Sequence, residues 1–254
     1  MMPPRGLGGA DKMKKHIPNT ITCCNLISGC VATVFALSGD AKYALLFIIL
    51  GAVFDFFDGM TARILGVSSP IGKELDSLAD DVTFGVAPAS ILFSFLNIID
   101  YPSFLDGWRN VIPFLAYIIA AFSALRLAKF NLDTRQTTSF IGLPTPANAL
   151  FWGSLIVGFG QEMMACTYIL PLLIIGIVVS SWLLIAEIPM FALKFKHWGF
   201  KGNEIKYGFV IFSAIALACG IAYGIKTGDD RIFYSPLSVI ILAYIAVSIA
   251  TQKK

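Results

Sequence analysis

The sequence predicts an all-α, polytopic membrane protein with about eight transmembrane helices. Three observations predict it. Hydrophobic residues make up 57% of the 254 positions, and charged residues only 14%, against about 25% charged in an ordinary soluble domain. Mean hydropathy is +0.77. Apolar runs of about 20 residues, the length that crosses a bilayer as a helix, recur between short polar breaks. The same figures exclude other classes. Apolar residues are too abundant for a disordered chain. Five cysteines are too few, and odd in number, for a secreted disulfide scaffold. A net charge of +3 from scattered basic residues gives no support for nucleic-acid binding. Repeated spans exclude a lone signal peptide.

The elements follow in order. Residues 1–17 are polar, rich in Gly and Pro, and basic, and are expected to form a flexible tail. Spans are expected near 18–38, 43–64, 73–99, 110–130, 145–162, 167–193, 207–226 and 233–250. The polar stretch 194–206 reads as a loop, with a short interfacial helix around His197 and Trp198. Residues 207–254 then form a C-terminal helical hairpin. Fifteen of the 19 Lys and Arg residues fall on the side of the N-terminus and four on the other. The positive-inside rule therefore places both chain ends in the cytoplasm.

Five carboxylates stand out. Asp55, Asp58, Asp76, Asp80 and Asp81 fall within 27 residues, in or at the ends of two apolar spans. Facing lipid, they would cost over about 12 kcal/mol on insertion scales. They must therefore face protein or water, with positive charge nearby. Asp55 and Asp58, three apart, share a helix face with Gly59 and Ala62. Gly72, Asp76 and Asp80, each four apart, form a second stripe. A short loop joins the two spans, so an antiparallel hairpin is expected to bring the stripes together. Arg63 and Lys73 are the nearby cations, too few to balance five acids. Carboxylate oxygens suit Mg2+, Mn2+ or Ca2+ rather than zinc. Four of them balance two divalent cations, an arrangement used in phosphoryl chemistry. The small residues leave room for a ligand beside the backbone, and Arg63 offers a cation to a phosphate. Asp81 lies off the stripe and reads as a headgroup or helix-polar residue.

The segment Asp55-Phe-Phe-Asp58-Gly59-Met-Thr-Ala62-Arg63, eight residues, Gly72, three residues, Asp76, three residues, Asp80 resembles the signature of the CDP-alcohol phosphotransferases, D-x-x-D-G-x-x-A-R followed by G-x-x-x-D-x-x-x-D. Every fixed position matches. Pro18-Asn19-Thr20-Ile21-Thr22 is similar to the P-N-x-x-T that opens the first span in that family. Phe84–Pro88, Arg126–Asn131 and Gly142–Pro146 resemble its serine-accepting bacterial and archaeal branch. The resemblance implies a six-helix catalytic core over 18–193, a CDP-diacylglycerol donor with its tails in the bilayer, and L-serine as acceptor. It implies metal ligation by Asp55, Asp58, Asp76 and Asp80, with Asp80 also the base for the hydroxyl proton. Asn19, Thr22, Gly59, Ala62, Arg63 and Gly72 correspond to the nucleotide site. Arg126, Asn131, Arg135 and Thr145 are the candidates for serine, with the three softer segments around the cleft mouth. Two divalent cations (Mg2+ or Mn2+, with Ca2+ as a substitute), an inner-membrane location with a cytoplasmic active site, and a homodimer complete the expectation.

Two alternatives stay open on the residues alone. The same chemistry can serve another acceptor, such as glycerol 3-phosphate or inositol phosphate. Intramembrane acids also mark ion and proton carriers, although here they cluster toward one membrane face. Cys23, Cys24, Cys30, Cys166 and Cys219 lack metal spacing and read as packing residues. Glu187 falls within the predicted sixth span and has no assigned role.

Overall fold

The computed structural model describes residues 9–133, 140–166, 168–191, 199–200 and 202–251. Arg135, His197 and Trp198, and with them the expected interfacial helix, lie outside these residues. The described chain folds into helices α1 (Gly9–Leu37), α2 (Ala41–Leu65), α3 (Pro70–Asp80), α4 (Ala87–Ile98), α5 (Ile118–Leu132), α6 (Thr145–Met164), α7 (Ile169–Ile185), α8 (Glu204–Thr227) and α9 (Ser235–Thr251). The two-residue strands β1 (Phe140–Ile141) and β2 (Pro189–Met190) pair antiparallel.

Six helical stretches are long and apolar enough to cross a membrane: His16–Leu37, Ala41–Leu65, Pro70–Ile98, Ile112–Leu132, Glu204–Thr227 and Asp230–Thr251. Each coincides with an expected span to within a few residues. The two remaining positions are occupied by α6 and α7. The 20 residues of α6 rise about 30 Å, but this helix is more polar. It packs inside the bundle and buries Asn148, Ser154 and Trp152. α7 is apolar and 17 residues long.

Two expectations are corrected. The N-terminal segment is already helical from Gly9, so α1 starts well before the expected span. The sixth span ends at Ile185, not at 193. Pro189 disfavours helix in the residue before it, and the chain turns there into β2. Glu187 consequently lies beyond α7 and is exposed.

Local signals explain the hairpin that carries the acids. Asp40 caps α2 by accepting from the Tyr43 N–H at 3.2 Å. Gly66 ends it in the left-handed conformation, φ 62°. Ser69 then caps α3, its Oγ accepting from the Gly72 N–H at 3.0 Å, with Pro70 in the first turn. A short turn from Gly66 to Ser69 joins α2 to α3. α1 packs against both, while α2 and α3 make few close approaches to each other. The gap between them is left as a cleft.

The third span is not a plain helix. Asp81–Val86 forms a π-helical turn between α3 and α4, a feature common at functional sites. At this turn α1 and α2 come very close. A Cβ on Gly29 would stand 2.4 Å from Thr83 Oγ1 and 2.7 Å from its Cα, and one on Gly51 would stand 2.5 Å from Thr83 Cγ2. Phe84, Gly85, Ala87 and Pro88 are buried here. A Cβ on Gly85 would meet Ser123 of α5 at 3.0 Å. The Phe84–Pro88 segment is thus core packing and not cleft lining. Below it the core continues through Ile91, Phe95 and Trp152, whose Nε1 donates to Ser180 Oγ at 3.1 Å.

Candidate active site

α2 and α3 present their acidic stripes to each other across the cleft. Asp55, Asp76 and Asp80 each bring one oxygen within 4.8 Å of the others. Asp58, one turn on from Asp55, is held from α1: Thr22 Oγ1 donates to its Oδ2 at 2.5 Å. Asn25, one turn further along α1, donates from Nδ2 to Asp80 Oδ1 at 3.0 Å. The Asn25 carbonyl accepts from Thr83 Oγ1 at 3.0 Å. One helix therefore orients a carboxylate on each of the other two.

The residues fit divalent cations. The three carboxylates at this range repel as like charges, and among the described residues no Lys or Arg forms an ion pair with them or with Asp58. Asp76 Oδ1 is buried with no hydrogen-bond partner, an orphan that a cation satisfies. The donor set is all oxygen, which selects hard ions.

A cleft of about 340 Å3 opens beside the acids. Asn19, Thr22, Asp58, Gly59, Ala62, Gly72 and Asp76 all line it. A Cβ on Gly59 would meet nothing within 4 Å, because it faces this open space. Gly72 lies against Asn19, whose Oδ1 would be 3.0 Å from an added Cβ. Arg63 does not line the cleft. It is exposed, and its Nε donates to the Gly59 carbonyl at 2.9 Å. Ser68, Ser69 and Lys73 border the cleft without having been singled out for it; the signal available was the Ser-Pro cap that starts α3. Asn25 and Thr83 carried no sequence signal, since neither belongs to a spaced motif.

A model of the CDP-alcohol phosphatidyltransferase family matches residues 15–193. The chain belongs to that family. Three similar proteins are each named CDP-diacylglycerol–serine O-phosphatidyltransferase. That of Bacillus subtilis is 38% identical over 183 residues, 72% of this chain and 91% of its own length. That of Mycobacterium leprae is 35% identical over 184 residues, 68% of this chain and 57% of its own. That of Mycobacterium bovis is 33% identical over 198 residues, 74% of this chain and 64% of its own. The chain thus spans nine tenths of the Bacillus protein but less than two thirds of the mycobacterial ones.

In this member of the CDP-alcohol phosphatidyltransferase family, the residues expected to hold the acceptor separate in the structure. Arg126 is buried, 7% exposed, and lies within electrostatic reach of Asp80. With Lys129, Asp133 and Glu187 it lines a small cavity of about 50 Å3 between the ends of α5 and α7. Thr145 is buried at the start of α6. Asn131 is already engaged: its Nδ2 donates to Ser77 Oγ and its carbonyl accepts from Lys73 Nζ, both at 2.8 Å. It ties α5 to α3. Gly142 has φ +78°, and a Cβ there would stand 2.5 Å from the Leu184 carbonyl. Its N–H and that of Leu143 donate to Ile188 and Leu183 carbonyls, each at 2.9 Å. Gly142–Pro146 thus anchors α6 to the end of α7. Asp81 does not reach toward headgroups. Its Oδ1 is buried beside Gly85 without a hydrogen bond.

Proposed function

We propose that this chain transfers the phosphatidyl group of CDP-diacylglycerol to the hydroxyl of L-serine, forming phosphatidylserine and CMP. The observation that carries the proposal is the meeting of the Asp55, Asp76 and Asp80 oxygens within 4.8 Å at the edge of a cleft lined by Asn19, Thr22, Gly59, Ala62 and Gly72. Serine as acceptor is supported by the names of the similar proteins. The serine oxygen forms the new bond to the phosphorus that carries diacylglycerol, and the bond from that phosphorus to the CMP oxygen breaks.

Phosphoryl transfer needs positioning and charge neutralisation more than covalent catalysis. Two divalent cations, Mg2+ or Mn2+ with Ca2+ as a substitute, held by Asp55, Asp58, Asp76 and Asp80, supply that neutralisation when bound. Asp80 takes the proton from the serine hydroxyl, which is a weak nucleophile without a base. Asn25 holds one of its oxygens so that the other is free for this task. Gly59 and Gly72 let the nucleotide approach the backbone, and Thr22 keeps Asp58 aimed into the cleft. Arg126 receives the serine carboxylate.

Both termini and the site face the cytoplasm of the inner membrane in this reading, supported by the fifteen-to-four division of Lys and Arg. The diacylglycerol tails stay among the membrane lipids, and the unit is a homodimer, as the family resemblance implies. An ion or proton carrier is disfavoured because the acids gather beside one cleft instead of marking a path. The test is CMP release from CDP-diacylglycerol in mixed micelles with Mn2+ or Mg2+. It is expected to be fastest with serine. Faster release with glycerol 3-phosphate or inositol phosphate at equal concentration would change the acceptor and keep the family. No release with any alcohol, together with ion flux in proteoliposomes, would favour the carrier.

A further inference from the structure

We propose that Glu187 is a specificity-determining residue for the acceptor: its carboxylate receives the ammonium group of the amino acid whose carboxylate Arg126 receives. The inference rests on the serine reading above and extends it to the other charge of the same molecule. Arg126 and Glu187 line one small cavity. Arg126, Lys129 and Asp133 come to it from the end of α5. Leu184, Ile185 and Glu187 come from the end of α7 and the residues just after it. A ligand between these two walls meets a buried guanidinium from one and a carboxylate from the other.

The backbone around Glu187 is fixed on both sides. The Ala186 N–H donates to the Trp182 carbonyl at 2.9 Å as α7 ends. The Ile188 carbonyl accepts from the Gly142 N–H at 2.9 Å, and Pro189 pairs with Ile141 between the two short strands. Gly142 fits there because it has no side chain: an added Cβ would also stand 3.2 Å from the Ala186 carbonyl. The other wall is pinned to the third span. Asn131 Nδ2 donates to Ser77 Oγ at 2.8 Å, and Ser123 lies against Gly85. Arg126 stands between these two contacts on α5, which sets it level with the residues that follow Asp80. Both walls are therefore held by elements other than their own, as a preorganised binding site requires.

Size and charge select the ligand. About 50 Å3 is room for a few water-sized groups, enough for the ammonium and carboxylate of an amino acid and too little for an inositol ring. The lining holds two cationic and two anionic side chains, Arg126 and Lys129 with Asp133 and Glu187. A zwitterion matches that balance. A phosphate monoester would set its two negative charges beside two carboxylates, which is discrimination by repulsion. Arg126 is 7% exposed and its Nε has no hydrogen-bond partner, a buried cationic donor that an anionic ligand group suits. Asp133 shares the wall of Arg126, so Glu187 is the acid that grips from the other wall. It is exposed, where a water-soluble acceptor reaches it.

The test uses the full-length protein in mixed micelles with CDP-diacylglycerol and Mn2+. Glu187→Gln keeps the shape of the side chain and removes its charge, at an exposed position where thermal unfolding in detergent is expected to stay unchanged. The serine KM is expected to rise about tenfold, the loss of one hydrogen bond to a charged group, with kcat and the CDP-diacylglycerol KM unaltered. The competitor 3-hydroxypropionate is serine without its amino group and offers Glu187 nothing to hold. It is expected to inhibit Glu187→Gln at least as strongly as the unsubstituted protein. An unchanged serine KM in Glu187→Gln overturns the inference, as does a fall in kcat with that KM intact. Weaker inhibition of Glu187→Gln, in step with the serine KM, overturns it too, because Glu187 would then support the pocket without touching the ammonium. No inhibition of either protein removes the grip of Arg126 on the carboxylate, and the two-ended site with it. If the unsubstituted protein prefers glycerol 3-phosphate to serine, the acceptor reading fails first and this inference falls with it.

Discussion

Asn25 of α1 and Asp80 of α3 are joined by a hydrogen bond of 3.0 Å, from Nδ2 to Oδ1, across 55 positions of sequence. The Asn25 carbonyl takes a second bond from Thr83, three residues beyond Asp80. Asn25 thus grips both the carboxylate and the π turn that follows it. Residues that orient a reactive or metal-holding carboxylate typically contribute 10- to 100-fold. Asn25→Leu is expected to lower the rate of CMP release by about that factor while the protein still extracts and purifies as a folded species. Undiminished turnover would show that Asp80 needs no such support.

Asp55→Asn, Asp58→Asn and Asp76→Asn are each expected to nearly abolish turnover, and excess chelator to do the same. Each substitution removes one negative charge from the set proposed to balance two divalent cations. Thr22→Val removes the 2.5 Å bond to Asp58 and is expected to cost less, about tenfold. Full activity in chelator, with added Mn2+ making no difference, would sink the two-cation reading.

Asp80→Asn separates binding from chemistry. Three carboxylates remain to hold most of the cation charge, and only the proton acceptor is gone. CDP-diacylglycerol binding, followed by equilibrium titration, is expected to persist while CMP release stops. A parallel loss of both would make Asp80 chiefly a ligand.

Two glycines are predicted to fail in different ways. Gly29→Ala forces a methyl to within 2.7 Å of the Thr83 Cα, backbone that cannot move aside, and is expected to cost about 1–3 kcal/mol of stability. Gly59→Leu meets no neighbour at its Cβ and projects into the cleft. It is expected to leave thermal unfolding in detergent unchanged and to raise the CDP-diacylglycerol KM. The reverse assignment of the two defects would contradict the crossing of α1 on the third span.

Orientation is tested by labelling. With the five native cysteines replaced, Asp106→Cys is expected to react with a membrane-impermeant maleimide applied to intact cells, and Pro3→Cys only after lysis. Labelling of position 3 from outside would invert the topology.

The spans and the acidic motif were legible because both are local patterns. An apolar run of about 20 residues announces a helix wherever it packs, and acids at three- and four-residue spacing share a face of any helix. Asn19, Thr22, Gly59, Ala62 and Gly72, singled out by their place in or near that motif, all border the cleft, whereas Arg63 does not. What the sequence could not carry was the choice of neighbours between helices. Nothing local says that α1 packs against both α2 and α3, so Asn25 was silent. Nothing local distinguishes Phe84–Pro88 as core, or shows that Asn131 is engaged by Ser77 and Lys73. Composition and spacing by themselves determined that this chain is a bundle of membrane helices with a carboxylate site. Tertiary structure alone decided which side chains aim those carboxylates, because helix rotation and crossing are set by side chains from distant elements meeting where small residues let backbones touch.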